Sequence, residues 1–420
     1  MFDELAKSIN EALAKPAPDA KTVIAACDAL ANRLDESTHI PLLMKLGMSR
    51  EKAAWELAQA KRMMRADYLE ARIRVEFGEA GLPGRREYIP FGESEPILEE
   101  WMPLGVLLHV SAGNVDALPV FSVIEGLLTG NVNILKLPEG ESGLSEGILE
   151  ALLYMEPALA GRAHVFDVRA QDTEQLKALA SLADGIVLYG SDEAVRAVRA
   201  LAPPQTKLIE WGHRISFAYA SPDADADFLR GVAHDMCFTS QLYCSSCQGI
   251  FVDTEDENEL YRFAERFLPI LEEEARAHGC AADVFAQAGA SFALYTDSLE
   301  TALTKRGRVL RGAGCGVSVF PDFALTSSHK FGNCWIRPLP REEIIERLRP
   351  YAGYLQTVAL CCSEAQRENV EHALVACGAV RVTDGYHMSE AYCGMPRDGE
   401  YPLRRYMKRV TMAKRKAPVL

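Results

Sequence analysis

The chain has 420 residues, 48% of them hydrophobic, and a formal net charge of -14. This length and apolar content predict two domains with large cores, and the acidic balance disfavours nucleic acid as a partner. The sequence contains no apolar run long enough to cross a membrane and no basic leader before an apolar stretch, so we expect a cytoplasmic protein.

The N-terminal part, residues 1–80, has a helical character. The stretch 49–78 begins with a plausible cap at Ser49 and contains no Gly or Pro until Gly78, which predicts one long scaffold helix. Residues 79–103 are rich in Gly, Pro and charge and predict a linker or an extended arm.

From residue 104 onward, apolar runs alternate with helical segments. Strands are predicted at 106–111, 131–137, 164–168, 185–190 and 206–212, with a helix between each pair. Strands separated in this way pair in parallel through right-handed crossovers. The pattern predicts a doubly wound nucleotide-binding sheet whose ligand lies at the carboxyl ends of its strands.

The phosphate-binding turn of this sheet is not the usual one. The GxGxxG motif is absent from the first turn, where SAGNVDALP stands instead. In a later turn Gly190 and Ser191 begin a helix, whose backbone N–H groups and dipole favour a pyrophosphate. Helix capping explains Ser191 equally well, so both interpretations remain open.

A second α/β pattern follows Gly212, with a strand at 214–220 and a helix at 222–236. The acidic residues 223–227 stabilise the start of that helix better than they would form a metal site. We expect a nucleotide-binding domain at 1–213, an α/β catalytic domain at 214–384 and a basic C-terminal segment at 385–420. That last segment is either an oligomerisation arm or simply solvated.

The segment QLYCSSCQGIFV, residues 241–252, places Cys244 on a short polar turn between a predicted helix and a β-rich run. Flanking elements that fix a thiol beside a cleft suit acyl chemistry, so Cys244 is the candidate nucleophile. The competing interpretation is a structural thiol, because the eleven cysteines should be reduced and most free cysteines are buried.

Cys247 completes a CxxC motif, which raises a redox dithiol or half of a zinc site as rivals. Neither fits well. The redox pair lacks its usual position before a helix, and the adjacent Cys361 and Cys362 point to opposite faces of a predicted strand. We therefore expect no metal site.

Several motifs in order resemble one family. They are PLGVLLHVSAGNVDALPVFSVIEGLLTGNVNILKLPEGE, ADGIVLYGSDEAVRAVRA, the cysteine segment, NCWIRPLPREEIIERLRPYAGYLQTVAL and GMPRDGEYPLRRYMKRV. Together they are similar to the acyl-CoA reductases of bacterial bioluminescence, from about residue 50 to about residue 410. That family belongs to the aldehyde dehydrogenase superfamily, so the resemblance implies its two-domain α/β fold with a small oligomerisation arm.

The resemblance implies a role for each matching residue. Cys244 matches the superfamily nucleophile, and Asn114 matches the asparagine whose amide stabilises the oxyanion of a tetrahedral intermediate. Lys136 matches the lysine that contacts the adenosine ribose. Locally, Asn114 is equally explained as a turn residue and Lys136 as a solvated surface residue.

Gly190 and Ser191 match the superfamily loop at the pyrophosphate. Glu210, in LIEWG, matches the general base of hydrolytic aldehyde dehydrogenases, and its neighbour Trp211 could raise the carboxyl pKa. A reductase must not activate water efficiently. We therefore expect Glu210 to be turned away, neutral or engaged with a neighbour such as Arg214.

Two positions depart from the wider pattern. Hydrolytic relatives carry a glutamate before their Phe-Gly pair to hold the nicotinamide ribose, whereas this chain reads SHKFGN with His329 there. His329 either bonds the ribose or a phosphate or is a structural histidine. Glu139 would repel a 2′-phosphate and favours NADH, although the family implies NADPH.

The sequence thus predicts an NAD(P)H-dependent acyl-CoA reductase that works through an acyl-Cys244 intermediate. In the family an acyl-transfer protein sometimes delivers the acyl group, and superfamily precedent implies a homo-oligomer. Three alternatives remain: a CoA-independent aldehyde dehydrogenase, a phosphate-ester reductase, and a non-catalytic scaffold that binds acyl-CoA or nucleotide.

Overall fold

A computed structural model of the protein describes residues 2–45, 49–111, 118–137, 143–278 and 284–413. The chain divides into two compact units. The first contains the chain up to Ile40, Ala54–Gly212 and the chain from Tyr392 onward, and the second contains Pro41–Ala53 and His213–Ala391. Among the described residues, none of the helices is both long enough and apolar enough to cross a membrane.

The first part of the described chain is helical, as expected. Its helices are α1 (Phe2–Leu13), α2 (Ala20–Ala31), α3 (Glu36–Lys45), α4 (Arg50–Met64) and α5 (Ala66–Phe77). Ser49 Oγ accepts the Lys52 N–H at 3.1 Å, and Gly78 ends α5 with a φ of 80°, so both expected helix ends are confirmed.

The single helix expected over 49–78 is instead divided at Arg65, whose ψ of 144° is extended. Asp28 on α2 accepts the Ala66 N–H at 3.0 Å and lies 3.2 Å from Arg65 Nε. This contact, far away in sequence, satisfies an amide that an unbroken helix would have bonded internally, and α5 therefore starts anew.

The next elements begin with two strands, β1 (Arg86–Tyr88) and β2 (Ile97–Pro103), and continue into the βα repeats. The repeats are β3 (Val106–Val110), α6 (Leu118–Leu128), β4 (Val132–Lys136), α7 (Leu144–Met155), β5 (Ala163–Phe166), α8 (Thr173–Ser181), β6 (Gly185–Tyr189), α9 (Asp192–Leu201) and β7 (Lys207–Trp211). Each predicted strand and helix of this region is present, with ends shifted by a few residues.

Strands β3 to β7 form a parallel sheet in the order β5-β4-β3-β6-β7 within the described chain. This is the doubly wound order. The chain adds β4 and β5 on one side of β3 and then adds β6 and β7 on the other side, so the strand order reverses between β3 and β6. His109 of β3 is fully buried and bonds Ser122 Oγ at 2.6 Å and Asn133 Oδ1 at 3.0 Å, which fixes α6 and β4 against β3. Burial lowers the pKa of His109 to about 4.

The second unit carries a mixed sheet. Its elements are β8 (Ile215–Ala220), α10 (Ala226–Phe238), β9 (Cys247–Val252), α11 (Glu257–His278), α12 (Val284–Thr304), β10 (Arg308–Gly312), β11 (Cys315–Val319), β12 (Asn333–Pro338), α13 (Ile344–Leu348), β13 (Leu355–Cys361), α14 (Glu364–Ala376) and β14 (Arg381–Thr383). In the described chain the strand order is β10-β11-β12-β9-β8-β13-β14, and all neighbours except β10 and β11 are parallel.

The acidic start of α10 is a helix cap, as expected. Asp225 accepts the Phe228 N–H at 2.8 Å. Strands β8 and β9 are buried along their whole length and carry apolar cores on both faces of the sheet. These two central strands hold the cysteine turn between rigid elements.

The C-terminal segment adds α15 (Pro402–Arg405) and β15 (Met407–Ala413). Strand β15 pairs antiparallel with β2, and β2 pairs antiparallel with β1. The expected linker at 79–103 and the expected arm at 385–420 thus contribute to one small sheet, which we call the arm sheet, in the first unit.

Candidate active site

Cys244 lies on the turn between α10 and β9, as the sequence predicted, and its side chain is exposed. Its Sγ accepts a hydrogen bond from Gln356 Nε2 at 3.3 Å. Its carbonyl oxygen accepts the Ser216 hydroxyl at 2.7 Å, and that hydroxyl oxygen accepts the Thr357 N–H at 3.0 Å. The thiol therefore sits on a backbone that two neighbouring strands hold in place.

Topology explains why these residues meet. Strands β8, β9, β12 and β13 are parallel, so their amino ends lie along one edge of the sheet. Cys244 comes just before β9, the SHKFGN loop just before β12, and Gln356 at the start of β13. The residues at this edge therefore come from loops and from the first residues of strands.

Cys247 has a different environment from Cys244. It is the first residue of β9, fully buried, and its thiol donates to the Gly249 carbonyl at 3.3 Å. Burial raises the pKa of the Cys247 thiol well above its ordinary value. A buried, protonated thiol is unsuited to dithiol exchange, and this favours the single nucleophile over the redox pair.

Within the part of the chain that the structure describes, no second cysteine pair completes a zinc site with the CxxC. Gln356, which contacts Cys244, is the second residue of β13, whereas Cys361 is its last. Five residues of extended strand separate them by roughly 16 Å. Cys361 and Cys362 are therefore too far along the strand to complete a zinc site with Cys244.

His329 lies in the SHKFGN loop and pairs with Asp297 of α12, whose Oδ2 is 2.8 Å from His329 Nε2. The same carboxylate accepts the Ser318 hydroxyl at 2.6 Å, and these bonds lower the pKa of Asp297 despite its partial burial. One ring nitrogen of His329 is thus committed to a structural contact. The geometry supports the structural interpretation of this histidine.

The SHKFGN loop and the cysteine turn are both strained and bond each other. Lys330 and Phe331 have φ values of 64° and 51°, and Ser240 and Gln241 have values of 53° and 58°. Such left-handed residues, when they are not glycine, occur where the surrounding structure fixes them. Here the Phe331 N–H bonds the Ser240 carbonyl at 3.3 Å.

Two buried glutamines complete this connection, and sequence reasoning missed both. Gln241 Oε1 accepts the Gly332 N–H at 3.1 Å, and Gln241 Nε2 donates to the Cys247 carbonyl at 3.1 Å. Gln248 Oε1 accepts the Ser328 N–H at 3.1 Å and the Ser328 hydroxyl at 2.9 Å. Their only sequence signal was their place at either end of the cysteine motif.

In the first unit, Lys136 is the last residue of β4 and is 6% exposed, so the interpretation as a solvated surface lysine is wrong. It lies opposite Val110 of β3 and Phe166 of β5, at the carboxyl edge where the ligand of such a sheet is expected. Its contact with an adenosine ribose stays a prediction.

Gly190 and Ser191 follow β6. Ser191 caps α9 by accepting the Ala194 N–H at 3.4 Å, which confirms the capping interpretation. A Cβ on Gly190 would come within 3.0 Å of the Ala194 Cβ, so the close approach of helix and strand favours glycine here. Asp192 and Glu193 stand in the first turn of α9 and already complement its dipole, which weakens this end as a phosphate site.

Glu210 is engaged, as expected, but its partner is Arg199 rather than Arg214. Both carboxylate oxygens accept Arg199 N–H groups at 2.6 Å. Trp211 follows on the strand and points to the opposite face. Arg214 belongs to the second unit and donates to the Gly353 carbonyl.

The two remaining predicted residues, Asn114 and Glu139, lie outside the described residues. Cys244 and His329 are in the second unit, and Lys136, Gly190, Ser191 and Glu210 are in the first. A doubly wound sheet with a buried lysine at its carboxyl edge fits a dinucleotide, and an exposed thiol on a fixed turn fits acyl chemistry.

Residues 16–409 match the family model described as acyl-CoA reductase (LuxC). The long-chain acyl-protein thioester reductase of Aliivibrio fischeri is 26% identical over 194 residues, which cover 42% of this chain and 40% of that protein. The Vibrio harveyi protein of the same name is 27% identical over 172 residues, covering 38% and 36%. The matched segments thus span well under half of these relatives.

Solved structures show the same architecture. Aldehyde dehydrogenase 21 from Physcomitrella patens superposes with a TM-score of 0.73 at 16% identity, over 100% of this chain and 92% of that one. Proline utilization A of Bradyrhizobium japonicum gives 0.72 at 19% identity, over 98% and 45%. The fold is that of the aldehyde dehydrogenases, as the sequence predicted, and the chain belongs to the acyl-CoA reductase (LuxC) family.

Proposed function

We propose that this protein reduces a fatty acyl thioester to the aldehyde through an acyl-Cys244 intermediate. The observation that carries the proposal is the exposed Cys244 thiol on a fixed turn, with an amide N–H donated to its sulfur. The curated relatives that it matches in part are named long-chain acyl-protein thioester reductases, which supports a long acyl chain.

The first half of the reaction is acyl transfer. The Cys244 sulfur, as thiolate, attacks the thioester carbon, and a tetrahedral oxyanion forms. The oxyanion collapses, the bond from carbon to the donor sulfur breaks, and the donor thiolate leaves and takes a proton from solvent. By family resemblance the Asn114 amide would donate to the oxyanion, which would lower the barrier by about 3 kcal/mol.

The second half is reduction of the enzyme-bound thioester. A reduced nicotinamide nucleotide, when bound in the first unit, would supply the hydride. The acyl carbon gains that hydride, and the former carbonyl oxygen becomes the alkoxide of a thiohemiacetal on Cys244. The alkoxide re-forms a carbonyl as the bond from carbon to the Cys244 sulfur breaks, which releases the aldehyde and returns the Cys244 thiolate. In sum one thioester, one reduced nucleotide and one proton give one aldehyde, one thiol and one oxidised nucleotide.

Suppression of hydrolysis is the role we propose for the Glu210 contact. A carboxylate bound by both oxygens to one guanidinium is poorly disposed to take a proton from water. The Arg199–Glu210 pair therefore favours reduction over acid formation, and it counts against the CoA-independent aldehyde dehydrogenase.

The choice of nucleotide rests on the first unit. Lys136 is the residue we propose for the ribose, since it ends β4 at the carboxyl edge of the sheet. Glu139 follows it closely in sequence and would repel a 2′-phosphate, so we expect NADH to be used at least as well as NADPH. Glu139→Ser should shift the ratio of rates toward NADPH, and an unchanged ratio would remove Glu139 from the ribose site.

Acyl donor and assembly are also proposals. The donor is a thioester of CoA or of a partner acyl-transfer protein, and competition between acyl-CoA and an acylated protein for Cys244 would distinguish them.

The arm sheet of β1, β2 and β15 is the element we propose for homo-oligomer contacts, and light scattering of a chain lacking 407–420 would test it.

The test of the function uses acyl-CoAs of graded chain length with NADH or NADPH, and mass spectrometry to quantify aldehyde and acid. We expect aldehyde with little acid and one equivalent of free CoA. Acid made from aldehyde and NAD without any thiol would instead establish the hydrolytic alternative. Failure of Cys244 to take up an acyl group or a thiol label would favour the non-catalytic scaffold.

A further inference from the structure

A cluster of two histidines and a glutamate lies between α10 and α11, apart from the residues used above. His234 is on α10, while Glu274 and His278 are one turn apart on the same face of α11. His234 Nδ1 lies 3.0 Å from His278 Nε2 and 3.4 Å from Glu274 Oε2, and His278 Nε2 lies 3.3 Å from the same oxygen. Three lone-pair atoms therefore converge on one point.

The spacing of these atoms is that of metal ligands. In a tetrahedral zinc site with bonds of about 2.0–2.1 Å, neighbouring ligand atoms are about 3.3–3.4 Å apart. Two imidazoles and one carboxylate are a ligand set that Zn²⁺ and similar divalent ions prefer. We propose that His234, Glu274 and His278 bind one divalent transition-metal ion such as Zn²⁺.

The ligands are held in place by their neighbours. The Phe238 ring stacks on the His234 ring at 5.6 Å and 8°, and meets the His278 ring edge-on at 5.6 Å and 83°. The second oxygen of Glu274 lies 3.6 Å from Arg230 Nη1. Because rings and carboxylate are already oriented, little ordering opposes binding.

A small cavity lies beside one of the three ligands. It is lined by His278, Cys237, Phe238, Ser240, Ser49, Glu51 and Lys52, and neither His234 nor Glu274 lines it. The fourth ligand of a tetrahedral ion would therefore be a water molecule supplied from solvent, as in zinc sites with three protein ligands. Such a site would join α10 to α11 next to the turn that carries Cys244, so its role would be structural rather than catalytic.

The main rival occupant is the proton of a hydrogen bond between the two rings. The ring nitrogens lie 3.0 Å apart, so an N–H of one ring donated to the nitrogen of the other would hold them together without a metal ion. The charged groups near the cluster include Arg230, which opposes a cation, and Glu273, which pairs with Arg230 at 2.9 Å and offsets it. Lys52 and Glu51, of opposite charge, line the cavity beside His278. Direct metal titration separates these two occupants.

The experiment uses the full chain with Cys244→Ser, which removes the exposed thiol as a competing ligand. After treatment with a chelator, the protein is titrated with Zn²⁺ by calorimetry and with Co²⁺ by visible absorption. We expect one ion per chain, a tetrahedral Co²⁺ spectrum without thiolate charge-transfer bands, and a higher melting temperature with Zn²⁺. His234→Ala, Glu274→Gln and His278→Ala should each weaken binding by at least about 100-fold.

Two controls keep the test sharp. His372→Ala removes an exposed histidine on α14 and should leave binding unchanged. Glu274→Gln preserves size, so its circular dichroism should match the parent even if a histidine variant fails to fold. Equal affinity in parent and Glu274→Gln, thiolate bands in the Co²⁺ spectrum, or no binding at all would each overturn the proposal.

Discussion

At the level of single residues, the reactivity of the exposed Cys244 thiol depends on its hydrogen-bond partner as well as on its position. Gln356 Nε2 donates to the sulfur at 3.3 Å. A donor of this kind favours a negatively charged sulfur, because it stabilises the charged form more than the neutral one. Sequence reasoning missed Gln356, since a polar residue at the start of an apolar strand gives no sign of what lies across from it.

Gln356→Leu should therefore slow alkylation of Cys244. A hydrogen bond to a charged group is worth about 1.5–3 kcal/mol, so we expect the rate of alkylation by iodoacetamide to fall by at least about tenfold at fixed pH. The measurement is the alkylation rate, with Gln366→Leu on α14 as the matched control. An unchanged rate for Gln356→Leu would show that the amide does not act on the sulfur.

A second prediction for a single residue concerns the effect of Glu210→Gln on stability and on the balance between reduction and hydrolysis. The variant loses its ion pair with Arg199, which is 60% exposed, so the cost in stability should be below about 1 kcal/mol. Because the pair leaves Glu210 little freedom to activate water, reduction of the acyl group should be nearly unchanged and acid formation should stay low. Glu193→Gln is the control. A large loss of turnover in Glu210→Gln alone would instead give Glu210 a direct part in the chemistry.

At the level of elements, two short segments with left-handed backbone conformations are joined to each other by hydrogen bonds. Residues 240–241 and 330–331 adopt positive φ values that side chains rarely favour, and Gln241 and Gln248 bond across between the turn and the loop. Strain of this kind persists only where surrounding contacts fix it. The glutamine bonds therefore set the position of the cysteine turn.

Gln248→Leu should loosen the SHKFGN loop. The variant leaves the Ser328 N–H and hydroxyl without their acceptor, at a cost of about 1–3 kcal/mol. Hydrogen exchange at 328–332 should rise and aldehyde production should fall. Gln248→Glu keeps the acceptor for Ser328 but loses the donor to the Gln241 and Ser246 carbonyls, so its exchange at Ser328 should lie between those of the parent and Gln248→Leu. Equal exchange in parent and Gln248→Leu would contradict this account.

Helix α5 carries a pH-dependent contribution to stability. Burial raises the pKa of Glu76 from 4.5 to about 6, although Arg72 opposes this from 3.4 Å. Between these pH values the folded chain binds more protons than the unfolded one, so stability falls as the pH rises from about 4.5 to above 6. The loss amounts to about 2 kcal/mol.

The measurement is urea unfolding of parent and Glu76→Gln from pH 4.5 to 7.5. The glutamine still accepts the Arg404 N–H, which lies 3.3 Å from a Glu76 oxygen, but it does not titrate. The difference in stability between the two proteins should therefore move in favour of Glu76→Gln as the pH rises. A difference that is constant with pH would contradict the raised pKa.

At the level of the whole molecule, the fold could be predicted because each strand and helix of the βα repeats has its own signal in a short stretch of sequence. Apolar runs such as VLLHV and GIVLY are buried strands, and the helices between them leave parallel pairing as the solution. The position of Cys244 on a turn was predictable for the same reason, since that turn lies between two well-marked elements, while its role as nucleophile stays a prediction. Features set by neighbours in sequence could thus be found.

The rest depended on contacts between residues distant in sequence. Arg65 divides a helix because Asp28 lies beside it, and Glu210 binds Arg199 because α9 packs near β7. The pairing of His234 with His278 requires α10 to lie against α11. No local pattern encodes such partners, so sequence reasoning expected one helix, named the wrong arginine and missed the histidine cluster.

The central claim, that Cys244 carries the acyl group, is tested most directly by the intact mass of the protein after mixing with a long-chain acyl-CoA without nucleotide. The parent and Cys247→Ala should each gain one acyl group, because Cys247 is buried, and Cys244→Ala should gain none. Adding reduced nucleotide should remove the added mass and release aldehyde. Two results would contradict the account. One is an acyl adduct on Cys244→Ala, and the other is an acyl adduct that is absent from Cys247→Ala but present on the other proteins.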